Sequence, residues 1–246
     1  SAKLRAGWLP VDRDAWATAA ESLQRHAALH LLLAGALFLG MFELSPALLT
    51  ELRDRLLPQD ATLVYLSPAE YMLLRFRLAG YAAICGLALT TGIDAWSTLR
   101  GRLTTDRPGI GSVATVLLVA LALFAVGVAY AQLLMLPLVL EYLHGDAAAA
   151  GFASTYSLSA FYSFVLLLTV SLGIAFELPL VVLLVLRLEL ATVAQLAHYR
   201  RHLTVAFFVL AALITPPDVI SQFLLAVPLL LLFELSLLAG RVSGKG

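Results

Sequence analysis

From Ser112 to Leu140 the chain carries no charged side chain. At a rise of ~1.5 Å per residue, that run is long enough to cross the ~30 Å hydrocarbon core of a bilayer. No water is present there to satisfy backbone N–H and C=O groups, so a spanning chain must be helical or form a closed barrel. Comparable apolar runs recur along the sequence. Hydrophobic residues make up 61% of the 246, charged residues 13%, and the mean hydropathy is +0.92. A soluble domain does not carry this many long apolar runs, and the expected fold is an all-α polytopic membrane protein.

The pattern predicts six transmembrane helices. Residues 1–26 read as a cytoplasmic amphipathic N-terminal segment, with Lys3, Arg5, Arg13 and Arg25 interleaved with Asp12, Asp14 and Glu21. Trp8 and Trp16 suit a membrane interface; a plain solvated leader is the alternative. A six-helix transmembrane domain follows over 27–240, with spans near 27–42, 71–93, 112–140, 158–186, 203–214 and 223–240, then a cytoplasmic tail at 241–246. Ser45-Pro46 is expected to separate the first span from an amphipathic run at 48–57. Ser67-Pro68-Ala69-Glu70 reads as the capped start of the second span. Arg75 and Arg77 in its first turns are expected to snorkel to the interface. Polar connectors are expected at 94–111, 141–155 and 187–202. Placing both termini inside puts twelve of the sixteen basic residues on that side.

The last two spans are expected to be short. The fifth has ~12 apolar residues, or roughly 18 Å of helix. Thr215-Pro216-Pro217-Asp218 ends it, since two adjacent prolines cannot both continue a helix, and Asp218 is placed to cap the next. A hairpin this short would thin the bilayer or lean on its neighbours.

Glu177 is the polar residue that stands out. Thr169, Gly173 and Glu177 step by four along the fourth span and share one face. Pro179 lacks an amide, which frees the Ala175 carbonyl and bends the helix beside the acid. A carboxylate inside a span is costly unless paired, hydrated or protonated. Glu177 is either satisfied by loose backbone, Tyr130 or Gln132, or serves as a polar dock for a partner helix or substrate.

Other chemistry is thinly represented. The formal net charge of +0 argues against nucleic acid. Cys85 alone offers neither a disulfide nor a thiolate site, and the five histidines show no zinc-ligand spacing. Nucleophile and phosphate-loop motifs are missing, so a non-enzymatic protein without metal or cofactor is expected. A proton-coupled small-molecule transporter using Glu177 would call for repeated halves, and none is visible.

Several of these residues resemble the TatC family, the polytopic subunit of the twin-arginine protein translocase. The resemblance rests on Thr215-Pro216-Pro217-Asp218-x-x-Ser221-Gln222-x-Leu224-Leu225-Ala226-x-Pro228 through Phe233-Glu234, and on Phe176-Glu177-Leu178-Pro179. Gly127 with Leu136-Pro137, and Ser67-Pro68-x-Glu70 with Arg77, add to it. It implies a membrane-bound translocase subunit of the cytoplasmic membrane. It also implies single-span TatA/TatB-type partners, twin-arginine signal peptides of folded substrates as ligands, and a multi-subunit complex. The family's amino-terminal His-Leu-x-Glu-Leu-Arg-x-Arg corresponds to Glu21-Ser22-Leu23-Gln24-Arg25, without the histidine and the first arginine. By resemblance Glu21, Arg25 and Asp106 would bind the signal peptide, with a turn residue as the alternative for Asp106. Glu177, Gln132 and Tyr130 would dock the partner helix, while Thr215, Pro216, Pro217, Asp218, Gln222 and Glu234 would hold the hairpin. A divergent scaffold that does not read the signal is the second reading. One half of a tandem fusion, which the start at Ser1 would suit, belongs with it.

Overall fold

The computed structural model describes residues 13–58, 61–103, 110–151, 155–188, 190–215 and 218–242, with backbone alone at 13–22, 99–103 and 110. Among the described residues the chain is helical apart from two short strands. The helices are α1 (Arg13–Leu56), α2 (Glu70–Leu103), α3 (Ile110–Tyr130), α4 (Leu136–Ala149), α5 (Leu158–Ala175), α6 (Leu178–Arg187), α7 (Val193–His198), α8 (Arg200–Ile214) and α9 (Val219–Val242). A π-helical turn, Ala131–Met135, joins α3 to α4. Strand β1 (Thr62–Val64) pairs in parallel with β2 (Thr155–Ser157) and ties together the two loops at one end of the bundle.

Five helical rods are long and apolar enough to cross a membrane: α1, α2, α3 with α4, α5 with α6, and α9. The 15-residue α8 is too short for that class, at ~22 Å, as its apolar length led us to expect. Its partner corrects the expectation that the last two helices are short. α9 has 24 residues, ~36 Å, because the Asp218 cap starts it at Val219, ahead of the apolar run expected from 223, and it continues through Pro228.

The bundle is uneven. In the most apolar windows of α1 and α2 only 6% and 11% of residues are buried, against 39% in α5–α6 and in α9. The core lies in the second half, where Met135, Leu136, Leu168, Leu172, Leu225 and Leu237 are almost completely buried. α1 packs along α2 as an outer layer.

Three boundaries differ from the sequence reading, and each has a local cause. α1 does not stop at Ser45-Pro46, so the first span and the amphipathic run are one helix of 44 residues. Pro46 removes the amide that would bond the Phe42 carbonyl. Ser45 Oγ donates to that carbonyl at 2.6 Å and Arg75 Nη2 at 3.0 Å, so the helix passes the proline with its backbone satisfied. Arg75 Nε also donates to Ser45 Oγ at 2.9 Å, and the guanidinium lies 4.0 Å from the Phe42 ring centroid. Arg75 is thus engaged with α1 rather than simply reaching for the interface. Arg77 donates to Ser163 on α5.

The second difference is α2, which runs through the connector expected at 94–111 as far as Leu103, anchored by the buried Trp96. The third is α4, which extends past the loop start expected at 141 to Ala149. It ends where Gly151, at φ 80°, supplies the left-handed residue of a helix terminus. The expected segment boundaries at 26 and 240 fall inside α1 and α9.

Pro228 repeats the problem of Pro46. The carbonyl it frees is that of Leu224, and Tyr130 on α3 donates its hydroxyl to that oxygen at 2.8 Å. Tyr130→Phe should cost about 1–2 kcal/mol, the usual loss on leaving a buried acceptor unpaired. In the Pro228→Ala background the same change should cost much less, because an intrahelical amide then serves Leu224. Unfolding midpoints in mixed micelles check this, and an equal loss in both backgrounds would remove the coupling.

Candidate functional site

α1, α2, α3, α5 and α6 surround an open, largely apolar groove with a volume of about 840 Å³. Among the described residues lining it, Glu51, Arg55 and Glu177 are the charged ones, and Gln132 and Thr169 add polar groups.

Glu177 sits at a break in the fourth rod. α5 ends at Ala175, α6 begins at Leu178, and Pro179 occupies the first turn of α6. The Glu177 amide bonds back to Ile174 and its carbonyl accepts from Val181, so the backbone turns tightly at the acid. This is the bend expected from Pro179. Among the described residues the Glu177 carboxylate makes no hydrogen bond or ion pair, and the side chain lines the groove, partly buried.

The candidate partners named with it are bonded to other groups. Tyr130 is bonded to Leu224. Gln132 Nε2 donates to Thr169 Oγ1 at 2.6 Å, and that hydroxyl in turn donates to the Val165 carbonyl at 2.7 Å. Gln132 Oε1 is buried without a partner among the described residues. Gln132 stays on the groove wall two turns from Glu177, since Thr169 precedes Glu177 by ~12 Å of helix. The self-satisfied alternative for Glu177, through Tyr130 or Gln132, finds no support in these contacts.

The π-helical turn explains how Gln132 reaches the wall. Pro137 has no amide and its ring crowds the carbonyl one turn back, so the helix widens just before it. The Leu136 amide bonds to Ala131 in the five-residue π pattern. α3 and α5 can meet this closely because Gly127 and Gly173 face each other's helices. A Cβ on Gly127 would lie 2.5 Å from the Leu172 carbonyl oxygen and 2.9 Å from Gly173 Cα.

The hairpin residues act together at the other side of the core. Thr215 is extended, at φ −93° and ψ 160°, the conformation a following proline requires. Pro216 and Pro217 lie outside the described residues. Asp218 Oδ1 accepts from the Ser221 amide at 2.7 Å, and its other oxygen accepts from the Ser221 hydroxyl, capping α9 as expected. Gln222 Nε2 donates to the Phe208 carbonyl at 3.1 Å across to α8. Arg200 Nη2 donates to Glu234 Oε2 at 2.8 Å, with Nε 2.8 Å from Oε1, which joins the two helices at their far ends. Glu234 is therefore a clasp to α8, a partner that its sequence position did not name.

Of the expected signal-binding residues, Arg25 is exposed on α1, Glu21 lies on the same helix with only its backbone described, and Asp106 lies outside the described residues. One cluster nearby escaped the sequence reading. His26 Nδ1 and His30 Nε2 lie 3.4 and 3.6 Å from Asp94 Oδ2 on α2, and His30 is only 6% exposed. The two histidines are one turn apart, a legible spacing, but their acid is 68 residues from His26 and only helix pairing brings it there. The cluster ties α1 to α2 one turn beyond Arg25.

Gly127→Ala should lower stability by about 1–3 kcal/mol, since it meets the Leu172 carbonyl oxygen, Gly173 Cα and Phe176 Cβ, which are backbone or fixed directly to it. Gly80→Ala, whose Cβ meets nothing within 4 Å, should be neutral or slightly stabilising through helix propensity. Thermal unfolding in detergent distinguishes the two signs.

Comparison with known proteins agrees along most of the chain. The profile of the Sec-independent protein translocase protein (TatC) family matches residues 19–228. A TatC protein from Aquifex aeolicus is 40% identical over 130 residues, 52% of this chain and 54% of that relative. The TatCd protein of Bacillus subtilis is 32% identical over 185 residues, 72% of each chain. A crystal structure of the twin-arginine translocase receptor TatC in DDM superposes with a TM-score of 0.79 at 28% identity, covering 90% of this chain and 99% of that one. A second crystal structure of that receptor gives 0.75 at 25% identity, covering 92% and 100%.

Proposed function

Since the chain belongs to the TatC family of Sec-independent protein translocase proteins, we propose that its groove docks single-span TatA/TatB-type subunits and that its cytoplasmic face receives twin-arginine signal peptides. It is a multi-pass membrane protein of the translocase. We place it in the cytoplasmic membrane with both termini inside, working in a multi-subunit complex without chemistry or a cofactor of its own.

The observation that carries the docking role is Glu177, a carboxylate without a partner among the described residues, at a helix break in an apolar groove. An isolated acid at bilayer depth costs about 3 kcal/mol on insertion scales. A polar side chain on a docked helix would offset part of that cost, and the groove walls supply the packing that holds helices together in lipid. The open, apolar groove is a poor path for a small polar solute, which disfavours a transporter. The ~22 Å length of α8, against a core of ~30 Å, supports local thinning of the bilayer beside the hairpin.

The signal-reading role rests on Glu21, Arg25 and Asp106 by resemblance. Carboxylates are the right receptors for an arginine pair because guanidinium binds them in bidentate fashion. Asp94, bracketed by His26 and His30, would hold α1 and α2 in place behind that surface.

Two measurements check these roles. Recovery of a co-purifying single-span subunit should fall about tenfold in Glu177→Ala and largely survive Glu177→Gln, since an amide keeps hydrogen bonding without charge. Unchanged recovery in the alanine variant would remove the dock. A photo-crosslinking twin-arginine peptide should label 1–26 or 94–111 and lose that labelling with Lys-Lys in place of Arg-Arg. Equal labelling by both peptides would favour the scaffold reading.

A further inference from the structure

The groove has charged groups at two levels, and the second one has no assigned role. On α1 its lining runs from Leu37 to Arg55 and on α2 from Leu78 to Trp96, ~27 Å of helix in each case. That length nearly equals the hydrocarbon thickness of ~30 Å, so the cleft fits one transmembrane helix lengthwise. Arg55 stands at the end of the groove near β1, where α1 stops at Leu56. It also lines an adjoining cavity of about 480 Å³ against α3, with Phe124, Val128 and Gln132.

Arg55 is incompletely bonded. Its side chain is 50% exposed, and its one hydrogen bond among the described residues runs from Nη2 to Glu51 Oε1, at 2.9 Å. A guanidinium has five N–H donors arranged to take a carboxylate with two parallel bonds. Glu51, four residues earlier on the same helix and 64% exposed, occupies one of them. Glu177, at the other level, would repel a carboxylate and accept from a neutral donor.

We propose that Arg55 sets the orientation and register of the helix seated in this groove by pairing with a carboxylate on it, while Glu177 receives an uncharged polar group. This rests on the docking role of the groove and adds the charge pattern of its occupant. A helix inserted the other way round would bring its acid toward Glu177 and leave Arg55 against apolar side chains. Both mismatches disfavour that arrangement, so the two levels select one direction.

The test uses the full chain in phosphatidylcholine nanodiscs and synthetic Leu/Ala transmembrane peptides of ~24 residues. Each peptide carries a central Gln and, about seven residues toward the β1 end, Glu, Lys or Leu. Binding is read by fluorescence transfer from a donor on the chain to an acceptor on the peptide. The Glu peptide should bind roughly fivefold more tightly than the Leu peptide, in line with polar contacts between membrane helices, and the Lys peptide more weakly than either. Arg55→Glu should invert that order. Glu51→Ala should strengthen the Glu peptide by removing its competitor. Glu177→Ala should weaken all three peptides alike. Equal binding of the Glu and Lys peptides to the unaltered chain would overturn the proposal and leave Arg55 as a plain ion pair with Glu51. Failure of every peptide to bind would instead overturn the docking role, and this inference with it.

Discussion

The constraint on which the structure depends is the need to satisfy backbone carbonyls at prolines buried in lipid. Each such proline removes one donor, and water is not there to replace it. Four prolines meet the problem in different ways. At Pro46, Ser45 and Arg75 answer the Phe42 carbonyl and keep α1 continuous. At Pro228, Tyr130 answers the Leu224 carbonyl and pins α9 to α3. Before Pro137 the helix widens into a π turn. Before Pro179 it breaks, and Glu177 is exposed to the groove at that break.

These solutions serve two different ends. Where a side chain from another helix supplies the missing donor, the proline becomes a fastening point. Where the helix changes its own geometry instead, a polar side chain is delivered to the groove wall: Gln132 by the π turn and Glu177 by the break. The hairpin is fastened throughout its length, by the Asp218 cap, Gln222 on Phe208 and Glu234 on Arg200. Within the outer layer, Arg75 and the His26–His30–Asp94 cluster fasten α1 to α2, while Arg77 on Ser163 and Tyr162 on the Leu49 carbonyl attach the layer to α5. The open groove lies between this outer layer and the core.

Much of this fold was legible without coordinates. Apolar length predicted the helices, Pro179 predicted the break, and Asp218 predicted the start of α9. The failures share a cause. Ser45-Pro46 read as a helix end because the sequence around it supplies no second donor for Phe42 beyond Ser45; that donor, Arg75, comes from α2. The end of α4 was misplaced, and the apolar run at 223–240 understated α9 although Asp218 marked its start, because a capped helix extends beyond its apolar stretch and hydropathy reports only that stretch. At the groove, Glu177 was legible as an anomaly, while Tyr130 and Gln132, expected from the preceding span as its partners, are bonded to Leu224 and Thr169. Arg55 and Asp94 passed unnoticed because neither breaks a pattern locally.

What the sequence determined by itself is local: which stretches are helical and lipid-compatible, where a carbonyl is freed, and which hairpin signature the chain carries. Missing amides and caps act within one helical turn, so adjacent residues suffice to read them. Which side chain answers each freed carbonyl was decided only by the tertiary structure. Ser45 and Arg75 are 30 residues apart and Tyr130 and Leu224 are 94 apart, and packing alone brings them within bonding distance. The same packing leaves Glu177 without a partner among the described residues, because Tyr130 and Gln132 are bonded to Leu224 and Thr169 instead.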